Sequence, residues 1–62
     1  MTPIKLGDLL VMNYWNETFH GYVVEIVVNN HSGEKIYFTK MFNEGRIFRL
    51  WEKQRGKTWE VA

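Results

Sequence analysis

Basic and aromatic residues interleave between Tyr37 and Trp59. The cations are Lys40, Arg46, Arg49, Lys53, Arg55 and Lys57, with Trp51 among them. On a β-strand alternate residues share a face, so Arg49, Trp51 and Lys53 would form one stripe. A ring beside cations can stack a base while the cations neutralise phosphates, the chemistry of single-strand nucleic-acid binding by small barrels. The run Lys53-Gln54-Arg55-Gly56-Lys57 reads as a phosphate-contacting loop. The competing reading is a solvated basic surface paired with Glu44, Glu52 and Glu60, with Trp51 or Trp59 filling the core. A net charge of only +1 favours that second reading.

A second constellation lies earlier in the chain. Asn13 to His20 reads as a loop, yet it holds Tyr14, Trp15 and Phe19 among Asn, Glu, Thr and His. Aromatics in such a segment either fold back over an open barrel end or form a patch that contacts a partner. With Tyr22 and Tyr37 nearby, an exposed edge strand there could dock another protein or a second copy, so a homodimer stays open.

Catalytic chemistry finds no such grouping. His20 and His31 both fall in expected loops, and no carboxylate stands at a motif spacing. Gly45-Arg46 and Gly56-Lys57 are turns, not a phosphate loop, which needs more glycines ahead of a Lys-Ser/Thr pair. The two histidines are eleven residues apart and the chain has no Cys, so a zinc site is not expected either. The expectation is a non-enzymatic binding module without cofactor or metal.

Sixty-two residues make one domain, 1–62, with room for one small core. Three Trp, three Tyr and four Phe compensate for the short length, since each buries about 150–250 Å². The start, Met-Thr-Pro-Ile-Lys-Leu-Gly-Asp, lacks the basic-then-apolar order of a signal peptide, and no apolar run reaches membrane-spanning length. The expectation is a soluble, cytoplasmic protein with no membrane partner. The sequons at Asn16 and Asn30 are accordingly read as fortuitous. Charge is unevenly placed: residues 1–34 carry one basic and four acidic side chains, residues 35–62 seven and three.

The elements that must position these residues are strands. Gly7, Gly21, Gly33, Gly45 and Gly56 punctuate short apolar runs at nearly even intervals, the mark of an all-β sandwich or barrel. Gly21-Tyr22-Val23-Val24-Glu25-Ile26-Val27-Val28 is the most strand-like stretch and should be the central strand. Val23 and Ile26 have odd spacing, so both face inward only with a bulge near Val24-Glu25. Around it the pattern predicts strands over Lys5–Tyr14, Glu34–Phe42, Arg46–Lys53 and Thr58–Val61. Asn43-Glu44-Gly45 should be a hairpin turn, and residues 54–57 a turn or a single 3-10 turn. The expected core is Leu10, Met12, Val23, Ile26, Ile36, Phe38, Phe48, Leu50 and Val61, with Tyr37 and Thr39 outward.

Lys5-Leu6-Gly7-Asp8-Leu9-Leu10-Val11, then Gly21-Tyr22-Val23-Val24-Glu25-Ile26, resembles the first two strands of SH3-like small barrels. Ile36-Tyr37-Phe38, the Trp51 strand and Trp59-Glu60-Val61 fit the remaining strands of that layout. The whole resembles the very small SH3-like proteins encoded by tailed bacteriophages. The resemblance implies a five-stranded barrel and, for a phage-type accessory protein, action on a host or phage protein in the host cytoplasm. It names no single ligand, since such barrels serve nucleic-acid binding, peptide binding and assembly. The acidic first loop and Ala-Leu-Tyr-Asp-Tyr-like segment of signalling SH3 domains are missing, so Pro-rich ligand recognition does not carry over.

Overall fold

The computed structural model describes residues 3–62. Five antiparallel strands form one sheet: β1 (Leu9–Tyr14), β2 (Glu17–Val28), β3 (Lys35–Met41), β4 (Ile47–Trp51) and β5 (Trp59–Val61). Their order is β4-β3-β2-β1-β5, so the first four strands form a meander and β5 returns to pair with β1. A 3-10 turn, Glu52–Gln54, lies between β4 and β5. The sheet curls into a small SH3-like barrel, and no element among the described residues is long and apolar enough as a helix to cross a membrane.

The curl comes from β2, which belongs to both halves of the sheet. Its register with β3 shifts between Val23 and Glu25, where the odd spacing of Val23 and Ile26 calls for a bulge. At the same point the segment before β1 is stitched to β2. The Gly7 N–H donates to the Val23 carbonyl at 2.8 Å, and the Val23 N–H donates to the Asp8 carbonyl at 3.0 Å. Gly21 lets β3 approach β2 closely. A Cβ there would lie 2.5 Å from the Lys40 carbonyl oxygen and 2.8 Å from the Met41 sulfur.

Inside sit Ile4, Leu10, Met12, Val23, Tyr37, Thr39, Met41, Leu50 and Trp59, with Phe19, Ile26 and Phe48 packed half-buried against them. Tyr37 meets Trp59 edge-on, ring centroids 5.5 Å apart. The indole N–H of Trp59 donates to the Trp51 carbonyl at 2.9 Å, and the Thr39 hydroxyl donates to the Tyr37 carbonyl at 3.3 Å. The Thr39 and Trp59 polar groups are thereby satisfied, whereas among the described residues Glu34 Oε1 and Glu52 Oε2 are buried without a hydrogen-bond partner.

Three expectations are corrected. On β3 the faces are the reverse of those expected: Tyr37, Thr39 and Met41 point in, whereas Ile36 and Phe38 lie on the outer face, half-buried. The cause is the β2 register. Gly21 and Val23 face inward before the bulge and pair with Met41 and Thr39; Ile26 faces inward after it and pairs with Tyr37. Both faces of β3 are apolar, so composition alone could not choose. Val61 is not core but 45% exposed, because β5 is short and only Trp59 reaches the interior. Finally, Asn13–His20 is no loop. β1 and β2 run on to a two-residue turn, Trp15-Asn16, with Tyr14 paired to Glu17.

Candidate binding surface

Both turn residues of that hairpin have positive φ, 52° at Trp15 and 63° at Asn16. This is what a two-residue type I′ turn requires, and it suits Asn or Gly, not a bulky L-residue. Trp15 therefore occupies a strained position, and its side chain is 81% exposed. The turn places the indole at the tip of the β1-β2 hairpin.

Behind it the inward row of each strand runs out of the barrel's open end. Tyr14 follows Leu10 and Met12 on β1; Phe19 precedes Gly21 on β2; Phe48 precedes Leu50 on β4. Tyr14 lies edge-on to Trp15 at 5.9 Å and 6.4 Å from Phe48, while Phe19 lies 6.2 Å from Phe48. The Arg46 guanidinium sits 5.5 Å over the Phe48 ring and 3.1 Å from the Glu44 carboxylate. The result is an aromatic cluster, half inside the barrel mouth and half in solvent, with one charged pair at its rim. Tyr14 and Phe19 fold over the open end, and Trp15 projects from it.

The other residues of the expected protein-contact set are elsewhere. Tyr22 lies on the outer face, its ring 5.6 Å from that of Phe42. Tyr37 is only 2% exposed and offers a partner nothing. Burial raises its hydroxyl above the ordinary value of 10.0, assisted by the nearby Glu52 carboxylate and opposed by Arg55.

The basic set is divided. Lys40, Arg49 and Trp51 do share the outer face, where Ile36 pairs with Trp51, Phe38 with Arg49 and Lys40 with Ile47. Lys53 folds back, its ammonium 5.3 Å over the Trp51 ring and 3.9 Å from Glu34. Arg46 stands at the opposite end of β4, beside Phe48. Arg55 pairs with Glu52 at 3.4 Å and lies 6.0 Å from the buried Trp59 ring. Lys57 is exposed in the turn before β5. Three of the seven residues thus have a carboxylate within 4 Å, while Lys40, Arg49 and Trp51, with Lys53 over the Trp51 ring, stay together on the outer face.

Sequence reasoning missed Phe48 as a surface residue, since its alternation with Leu50 reads as core. The sequence carries no signal for it: the Trp15-Asn16 turn that brings Tyr14 and Phe19 to the mouth lacks the Asn-Gly or Asp-Gly that marks such turns. His20 and His31 are exposed. Two shallow hollows lie near the 3-10 turn, one lined by Glu52, Arg55, Gly56, Glu60 and Val61, the other by residues 32–35 with Glu52 and Lys53. Neither touches the aromatic cluster.

Fold and surface together define a small SH3-like barrel with an aromatic hairpin tip. No family model matches the chain, and no curated protein or solved structure matches it.

Proposed function

We propose that this is a non-enzymatic binding module that docks a protein partner through Tyr14, Trp15, Phe19 and Phe48. The observation that carries the reading is Trp15, a large apolar ring held in a strained turn with its face in water. Backbone strain of this kind costs about 1–3 kcal/mol and supports a functional hypothesis where it is seen. Trp and Tyr beside an Arg are also the residue types that dominate binding energy at protein interfaces. The resemblance to phage-encoded barrels makes a host or phage protein the natural partner class, met in the cytoplasm.

The alternative, nucleic-acid binding through the Tyr37–Trp59 face, is weakened by the ion pairs of Arg46, Lys53 and Arg55 with glutamates. The test compares the native chain with Trp15→Asn and with Lys53→Ala plus Lys57→Ala as immobilised baits. Partner capture that is lost in Trp15→Asn and kept in the double variant supports the reading. Capture lost only in the double variant, and abolished by nuclease treatment, overturns it.

A further inference from the structure

The two outer strands of the sheet are not equivalent. β5 is covered by its own chain: the Gly56 N–H donates to the Trp59 carbonyl at 2.8 Å, and Arg55 bridges to Trp59. β4 pairs with β3 on one side, and among the described residues its other side has no backbone partner, although at its end the Trp51 carbonyl accepts the Trp59 indole N–H. A free edge is a template for another strand unless it is guarded, and the usual guards are proline, lysine, a bulge or a very short strand. β4 has five residues, no proline and no bulge, and presents Ile47 at 54% exposure. Its single charge, Arg49, is exposed and has no ion-pair partner among the described residues. The nearest carboxylate in its cross-strand row is Glu25, two strands away through Phe38 and so about 10 Å off.

Resting on the protein-docking reading above, we propose that the free edge of β4 accepts an extended segment of the partner, with an acidic residue opposite Arg49. Strand addition takes its affinity from main-chain hydrogen bonds and its specificity from alternate side chains. The partner's pattern follows from what β4 presents. On the outer face it meets Ile47, Arg49 and Trp51, which asks for an acidic residue with apolar neighbours two positions to either side. On the inner face it meets Phe48 and the adjoining Tyr14, which asks for an apolar side chain there. A second copy is a poor occupant, because pairing β4 antiparallel with itself in full register sets Arg49 against Arg49, and like charges directly opposite destabilise a sheet.

The experiment selects a displayed library of random dodecapeptides against the native chain and maps the best peptide by amide chemical shifts and amide exchange. The expected peptides carry Asp or Glu flanked at two positions either side by apolar residues. They protect amides of Ile47–Trp51, bind about fivefold less tightly to Arg49→Glu, and lose binding when N-methylated along their length. Trp15→Asn is mapped in parallel. A peptide that protects β4 equally in native and Trp15→Asn chains keeps the edge proposal and removes the hairpin from the site. Peptides that shift only the Tyr14–Phe19 amides overturn the edge proposal and leave the hairpin reading standing. Basic or proline-rich peptides, an unchanged affinity in Arg49→Glu, no enriched peptide, or β4 protection that rises with protein concentration alone would each overturn it.

Discussion

Trp15 separates a structural role from a contact role at one position. Its φ of 52° is a conformation that Asn adopts at lower cost than Trp. A Trp kept for stability would cost 2 kcal/mol or more to remove, as buried aromatics do. An indole that is 81% exposed has little burial to lose beyond its edge contact with Tyr14. Trp15→Asn should therefore leave unfolding free energy unchanged or raise it by about 1 kcal/mol, read by urea melts. A fall of 2 kcal/mol would make Trp15 a structural residue.

Tyr37 makes the opposite case, since its ring is core and its hydroxyl is perturbed. Burial, then Glu52, raises its folded value above 10.0. The folded chain thus holds this proton where the unfolded chain releases it. The associated stability is complete below about pH 10 and is lost as pH rises from there through the folded value. Tyr37→Phe should flatten that alkaline decline in denaturant midpoint, with no change in the slope near neutrality. An unchanged decline in the variant would assign it to other groups.

Among the elements, β2 determines the most. It pairs with β1 and β3 along its twelve residues, and its bends turn one sheet into a barrel. Gly21→Ala forces a Cβ against the Lys40 backbone at 2.5 Å and should cost about 1–3 kcal/mol in a thermal or urea melt. Gly45→Ala meets no atom within 4 Å and should stay within about 0.5 kcal/mol, which makes it the control. Equal effects would show that the close approach at Gly21 is relieved by backbone movement.

The strand count, the bulge and the 3-10 turn were readable because each leaves a local mark: glycine spacing, the odd Val23–Ile26 interval, a polar basic run. The faces of β3 were not, since Ile36-Tyr37-Phe38-Thr39 offers two apolar faces and the choice is made by pairing with β2. The hairpin at Trp15-Asn16 was hidden for a different reason. Its turn carries Trp where the usual signal is Asn-Gly or Asp-Gly, so the violation of turn chemistry that masked the element is the same feature that marks the candidate site.

For the whole molecule, the uneven charge of the two halves of the sequence does not become a basic side. Ion pairs link Lys53 to Glu34 across the halves and tie Arg46 and Arg55 to their own neighbours. On the outer face this leaves Lys40 and Arg49 as the cations without a carboxylate among the described residues. Two phosphate contacts release few counterions, so any affinity for single-stranded nucleic acid should fall with log salt at a slope no steeper than about −2. Fluorescence titration at two or more salt concentrations measures it. A slope near −5 would mean that the ion pairs open and the whole basic set engages.

The position of β5 has a consequence in time as well as in space. Leu10 pairs with Val61 and Met12 with Trp59, so the last of these five strands locks the first. The hairpins β1-β2, β2-β3 and β3-β4 close between sequence neighbours and are available early. Trp59, the largest fully buried side chain, comes last. At about 5–20 residues per second of synthesis, β1 waits on the order of a few seconds for its second partner. Throughout that interval the nascent chain leaves exposed the surface that Trp59 covers in the fold.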